Sequence, residues 1–195
     1  MRAHGVRIGS WWLCERSTPA NLEEELFALG LARVRGDYEL AGMLLASAPP
    51  PIRTGVEARR VRDAVEYAAA RELLYDVFDS PADRRRTRGE LEAEFARDDV
   101  AGAVYGAWIA GELVGAGRAF FAPQGAILSG GATLEHARGR GAYSALVRAR
   151  WDDVAARGGG ALVVQAGSMS QPVLRRLGFE HVLRFHRLED VLPRA

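Results

Sequence analysis

Six consecutive residues carry the densest chemistry in this chain: Arg138-Gly139-Arg140-Gly141-Ala142-Tyr143. They follow a strand-like run, Ala126–Leu134, and open a helix-like run from Ala142 to about Arg157. A glycine-rich turn at a helix start leaves backbone N–H groups without intrahelical partners, aimed one way. The helix dipole adds partial positive charge at that end, which favours phosphate. Two arginines add formal charge and paired donors suited to phosphate oxygens. The turn is expected to hold a phosphorylated cofactor, through Arg138, Gly139, Arg140, Gly141, Ala142 and Tyr143.

Composition narrows the remaining classes. The chain has 195 residues and a formal net charge of +1, so no bulk field draws it to nucleic acid or anionic lipid. Its apolar fraction is that of a globular protein able to bury a core. Cys14 is the single cysteine, which excludes an internal disulfide and a cysteine metal cluster and fits a reducing cytoplasm. The first residues lack the apolar core of a signal peptide. No run approaches the roughly 18 apolar residues that a membrane span requires. Lysine is absent, so a Schiff-base lysine or a lysine P-loop is excluded. His4, His181 and His186 show no metal spacing, and no metal is assigned.

The elements that must position the turn follow from periodicity and punctuation. Pro49-Pro50-Pro51 marks a stiff linker. It divides a short segment (1–48) from a complete domain (56–195), with 49–55 as the connection. In the first segment, Ser10–Cys14 reads as a strand. Pro19 then opens a helix with Glu23, Glu24 and Glu25 near its positive end, and Gly30 fits its C-cap. A strand-like Ala32–Arg35 follows. After the linker, Val56–Val61 alternates as a strand, and Asp63 caps a helix whose apolar face is Val65, Ala69, Leu73 and Val77. A charged helix is expected from Pro81 to about Arg97. A hairpin pairs 103–109 with 113–121, and a third strand covers 126–134. After the turn and its helix come a short apolar strand, 161–166, of the kind buried on both faces, a helix from Pro172 to Leu177 and a last strand from His181 to Leu188. The fold class is α/β (α+β): a mixed sheet combining an antiparallel meander with a helix crossover.

Other conspicuous residues have plainer roles. The run Arg84–Arg88 is neutralised by Asp83, Glu90, Glu92 and Glu94 and reads as a solvated helix face. Met43, Trp11 and Trp12 are expected in the core. Tyr105 and Trp108 lie on the hairpin, and core packing is expected for at least one of them, since alternate strand residues face opposite sides. Arg175 and Arg176 suit the negative end of their helix or a phosphate.

At this point the chain resembles the GCN5-related N-acetyltransferase (GNAT) superfamily. The family's Arg/Gln-x-x-Gly-x-Gly/Ala turn, after strand four and opening a helix, is matched by Arg138 and Gly141; Tyr143 stands where a small residue is usual. A helix ending in Leu-Gly-Phe is matched by Leu177-Gly178-Phe179. The element order matches over residues 56–190. The first segment, with Leu29-Gly30-Leu31, resembles a degenerate copy of 161–188.

The resemblance implies acetyl-CoA as acyl donor, its pyrophosphate on the turn. Its pantetheine would lie on the free edge of strand four at Ala132, Thr133 and Leu134, facing Val163–Ala166. Ser170 is the small residue kept on the following helix. An amine of a small molecule or peptide then attacks the thioester directly. The usual acidic tyrosine falls at Leu174, an asparagine position falls at Gly167, and a strand-four carboxylate base falls near Ile127. Ser168 and Glu135 are the candidates left for acid and base, with Gln165 able to orient substrate and His136 on the turn surface. Two other readings stay open: a non-catalytic acyl-CoA-binding module, and a general nucleotide-binding protein, which the missing Gly-Lys-Ser/Thr argues against. The exposed end of the sheet offers a surface for a homodimer.

Overall fold

The structure, a computed structural model, describes residues 9–33, 39–51 and 55–190, excepting the side chains of 97–101. Before the triple proline lie β1 (Ser10–Cys14), α1 (Leu22–Ala28), β2 (Leu31–Arg33) and β3 (Leu40–Leu45). After it come β4 (Glu57–Arg60), α2 (Ala64–Val77), α3 (Arg88–Ala101), β5 (Gly102–Ile109), β6 (Glu112–Ala122) and β7 (Gly125–Thr133). The chain continues through α4 (Ala142–Ala156), β8 (Ala161–Ala166), α5 (Gln171–Arg176) and β9 (Glu180–Asp190). Among the described residues the strands make one mixed nine-stranded sheet, in the order β1-β9-β3-β8-β7-β6-β5-β4, with β2 also on β9. Only β7 and β8 pair in parallel, as the α4 crossover between them requires.

Alternation along the strands builds a core on each face of the sheet. On β5, Ala103, Tyr105, Ala107 and Ile109 join a cluster with Leu146, Val147, Trp151 and Val154 of α4. Val104, between them, faces the other way and packs with Tyr67, Leu73 and Leu74 of α2. A third, small cluster of Leu13, Leu26 and Leu188 holds α1 to the β1 edge.

The strand over 40–45 is an addition to the expected elements, and it changes the architecture. β3 precedes the linker, yet it is inserted between β8 and β9, antiparallel to both. The boundary expected at 49–55 is therefore a feature of the connection and does not divide the sheet. Gly42 makes the insertion close: a Cβ there would sit 2.5 Å from Leu183 Cδ1. β1 and β2 both pair antiparallel with β9, so they are parallel to one another with a strand of the second segment between them. β8 and β9 likewise flank β3 of the first segment.

Several expectations are corrected in detail. α1 starts at Leu22, with the Pro19 carbonyl accepting from the Leu22 N–H in the turn before it. The buried face of α2 is Tyr67, Ala68, Ala70, Leu73 and Leu74, while Val65 is 59% exposed. Two alanines, Ala68 and Ala70, stand on that face, so small residues mark it better than Val65 does. The helix expected from Pro81 begins only at Arg88. Thr87 and Glu90 cap it reciprocally, Glu90 Oε2 accepting from the Thr87 N–H at 2.7 Å, and a short 3₁₀ turn, Ala82–Arg84, precedes it. Trp11 and Trp12 are 43% and 40% exposed on the edge strand, whereas Met43 is buried. Of the strand expected over 32–35, residues 34 and 35 lie outside the described residues. Asp63 does cap α2, accepting from the Glu66 N–H at 2.8 Å.

Candidate functional site

The site begins with an interruption of β7. The β6–β7 register shifts between Ala116 and Arg118, so two residues, Gly130 and Gly131, oppose Gly117 alone. Gly130 sits at φ +60°, a left-handed conformation that suits glycine. The extra residue reverses the faces. Before it, Ala126 and Leu128 face α4; after it, Ala132 packs on the α2 side, and Gly131 turns toward α4.

The bulge also opens the sheet. β7 and β8 pair only from Gly125↔Ala161 to Leu128↔Val164. Beyond that the β7 edge over Ser129–Thr133 faces no strand, while β8 remains paired with β3 as far as Ala41↔Ala166. Gly131–Thr133 of this edge and the turn that starts α4 line one cleft.

That turn is shaped by Gly139 and Gly141, at φ +74° and +95°. Gly141 is the N-cap of α4 and supplies no side-chain bond to the first-turn N–H groups, which have no intrahelical partners. A cleft of about 1000 Å³ lies there, lined by Arg138, Gly139, Gly141, Ala142, Tyr143 and Ser144. Gly131, Ala132 and Thr133 of β7 continue it. Pro50 and Pro51 form one rim, so the linker borders the cleft. The opposite wall is the α5 region, with Ser168, Ser170 and Arg176. Its end is fixed by Gly178 (φ +95°): the Phe179 N–H donates to Leu174 O and the Gly178 N–H to Arg175 O.

The expected cofactor residues divide accordingly. Arg138, Gly139, Gly141, Ala142, Tyr143, Ala132, Thr133 and Ser170 line the cleft. The exposed Arg140 does not, and Leu134 packs toward α2 with its N–H donated to Val114 O at 2.8 Å. The free edge is thus Ser129–Thr133, beginning three residues before the expected Ala132, because the bulge opens the strand there. Val163 and Val164 are paired to β7, leaving Gln165 and Ala166 at the gap.

Of the two acid–base candidates, Ser168 lines the cleft and Glu135 does not. Glu135 lies on an exposed 3₁₀ turn, Glu135–Ala137, beside His136, whose Nε2 is 3.1 Å from Glu112 Oε1. Leu174 is fully buried in the core, so its position presents no donor to the cleft. Ser170 Oγ donates to Gly167 O at 3.1 Å, and Gln171 Nε2 donates to Ala166 O at 3.1 Å.

A second cavity, of about 680 Å³, continues from the bulge onto the sheet face away from α4. Its walls are apolar: Ile127, Val163, Val182 and Leu183, with Phe78 at its junction with the first cleft. Gln165 and Arg150 are among its polar residues. Among the described residues neither cavity has an aspartate or glutamate in its lining.

A pyrophosphate and a pantetheine fit these groups. The cleft offers uncapped N–H groups, the guanidinium groups of Arg138 and Arg176, and an unpaired strand edge. Thr133 Oγ1, buried and without a hydrogen-bond partner, lies on the same wall. Among the described residues no group of three histidines, cysteines or carboxylates could hold a metal, and no helix is long and apolar enough to cross a membrane.

No protein-family model and no curated protein matches this sequence. Solved structures do match. A GCN5-related N-acetyltransferase from Kribbella flavida aligns at TM-score 0.69 and 20% identity, over 94% of this chain and 68% of its own. One from Sphaerobacter thermophilus aligns at TM-score 0.70 and 17% identity, over 96% and 62%. A tandem GNAT protein from the clavulanic acid biosynthesis pathway aligns at TM-score 0.68 and 18% identity, over 96% and 65%. The chain spans about two thirds of the length of these proteins. With the splayed β7–β8 pair and the glycine turn opening α4, it has the fold of the GCN5-related N-acetyltransferases.

Proposed function

We propose that this protein binds acetyl-CoA or another acyl-CoA in the α4 cleft and transfers the acyl group to an amine. The observation that carries the reading is the convergence of the unpaired β7 edge on the uncapped start of α4. The N–H groups of Gly139–Tyr143 hold the pyrophosphate, with Arg138 and Arg176 neutralising its charge. The pantetheine amides pair with β7 between Gly131 and Thr133, which sets the thioester at the bulge. The amine enters from the apolar cavity and attacks the thioester carbonyl carbon. A C–N bond forms, the C–S bond breaks, and the proton lost by nitrogen is matched by one gained by the thiolate. A backbone N–H at the bulge steadies the carbonyl oxygen. Ser168, at the cleft wall, is a hydroxyl that could hydrogen-bond the sulfur.

A second reading is a non-catalytic acyl-CoA-binding module. It is favoured by linings with no aspartate or glutamate among the described residues and by the buried Leu174 at the usual acid position. Thiol release from acetyl-CoA across a panel of small amines and peptides separates the two. Amine-dependent release supports transfer. Binding of acetyl-CoA without release from any acceptor supports the module.

A further inference from the structure

Among the described residues Arg150 is the only charged side chain that is buried. It is 1% exposed, on α4 beneath the β6–β7 bulge. Its Nε donates to Leu146 O at 2.9 Å and its Nη1 to Arg118 O at 3.3 Å. Its Nη2 has no partner. The carboxylates further along α4 are engaged elsewhere: Asp152 with Arg148 Nε at 2.8 Å, and Asp153 with the Tyr105 hydroxyl. Burial pushes the guanidinium pKa down, as expected for a charge lacking a counter-ion. An uncompensated buried charge is costly, and such groups concentrate where a site uses them.

Geometry says where that charge is aimed. Tyr143 and Arg150 are seven residues apart on α4, hence two turns apart on one face. Both reach the same place, the α4 side of Gly131. The point where a Cβ of residue 131 would sit lies 3.6 Å from the Tyr143 hydroxyl and 3.7 Å from Arg150 Nη2. Gly131 bears no side chain, which lets the tyrosine ring, with Cε2 3.1 Å from that point, and the guanidinium both come close to the strand. All three residues line the 680 Å³ cavity, which has no acidic side chain among its described residues. Arg150 lies nine residues along α4 from Gly141, roughly 13 Å at the helical rise. That is far from the phosphate end and level with the bulge, where the thioester would lie.

We infer that Arg150 and Tyr143 form a carboxylate-binding site at the acyl end of the cleft, for a reactant that carries its own negative charge. The carboxylate accepts from Nη2 and from the phenol, in a low-dielectric cavity where such bonds are strong. Burial raises the Tyr143 pKa, so the phenol keeps the proton it donates. Two sources share this chemistry: the far end of a dicarboxylic acyl chain on CoA, or the carboxylate of an amino-acid-like acceptor. The inference rests on the acyl-CoA reading above.

The test uses the whole protein and two arms. In the first, calorimetry compares desulfo-CoA, butyryl-CoA and succinyl-CoA, the last two similar in length and different in terminal charge. In the second, protein saturated with desulfo-CoA is titrated with apolar amino acids and with their methyl esters. The expected result is a preference of about tenfold or more for the carboxylate in one arm, the size of a charge-assisted bond. The arm that shows it identifies the source. The preference should disappear in Arg150→Gln and weaken in Tyr143→Phe. Wild-type protein that binds desulfo-CoA yet shows no carboxylate preference in either arm would overturn this inference alone. Wild-type protein that does not bind desulfo-CoA overturns the acyl-CoA reading beneath it. Because the decisive comparison is between ligands on the wild type, an Arg150 variant that fails to fold does not rescue the claim.

Discussion

The two bulge glycines do different work, and substituting each with alanine separates shape from strain. At Gly130 the backbone has φ +60°, where an L side chain is disfavoured by about 1–2 kcal/mol. The added methyl has room, its only near neighbour being Leu74 Cδ1 at 3.7 Å. Gly130→Ala should therefore cost about 1–2 kcal/mol of stability, which in a chain of this size lowers Tm by roughly 2–8 °C. At Gly131 the φ lies outside the left-handed range, so strain is small. The new Cβ would sit 3.1 Å from Tyr143 Cε2, and the tyrosine ring must give by a few tenths of an ångström. The methyl then occupies the space between β7 and α4 where the thioester is placed. Gly131→Ala should weaken acyl-CoA binding by at least about tenfold, or about 1.4 kcal/mol, with a smaller Tm change than Gly130→Ala. Differential scanning calorimetry and titration with acetyl-CoA read the two quantities. Unchanged acyl-CoA affinity in Gly131→Ala, with the protein folded, would refute the placement of the thioester. An unchanged Tm in Gly130→Ala would refute the strain argument.

Further outcomes follow from single contacts. Arg138→Ala should weaken CoA binding roughly tenfold and flatten its salt dependence, read by titration at two ionic strengths. Gly141→Val should remove CoA binding, because its φ of +95° and the close approach of phosphate both exclude a branched side chain. Asp63→Ala removes the α2 cap and should cost about 1 kcal/mol, or roughly 2–4 °C in Tm. Glu66 is held below the usual carboxylate range, chiefly by hydrogen bonds from Arg59 and further by the Arg62 N–H. A depressed carboxylate stabilises above its unfolded pKa, and that stability is lost as pH falls through the lower, folded pKa. The Tm gap between wild type and Glu66→Gln should thus be largest near neutral pH and shrink below about pH 4; a gap that grows on acidification would contradict the assignment.

Much of the site could be read from residue order because it is built from backbone. Glycines in a strand-to-helix turn state their conformation directly, and Gly139 and Gly141 do adopt left-handed φ values. Residues 103–109 and 113–121 alternate clearly, so their hairpin was legible too. The run Leu40-Ala-Gly-Met-Leu-Leu45 was not. A strand enclosed on both faces has no alternation, and a six-residue apolar run is ambiguous between strand and helix. Its place between β8 and β9 is a long-range fact that local pattern does not encode. Arg150 was also hidden. An arginine on a helix ordinarily reads as solvated, and only the loss of side chains at Gly117 and Gly131 brings it under the sheet. The available signal was its setting, with Leu146, Val147, Trp151 and Val154 on the same helix, together with paired glycines on the facing strands. Leu134 was placed on the free edge by the resemblance, which carries no register; the bulge at Gly130 and Gly131 frees the edge from Ser129 onward and leaves Leu134 packed toward α2.

The central claim is that the α4 turn and the free edge of β7 together hold an acyl-CoA. A structure determined with desulfo-CoA bound tests it most directly. Pyrophosphate oxygens are expected within hydrogen-bonding reach of the N–H groups of Gly139–Tyr143, and a pantetheine amide paired with β7 between Gly131 and Thr133. Desulfo-CoA bound elsewhere, with the β7 edge left unpaired, would contradict it.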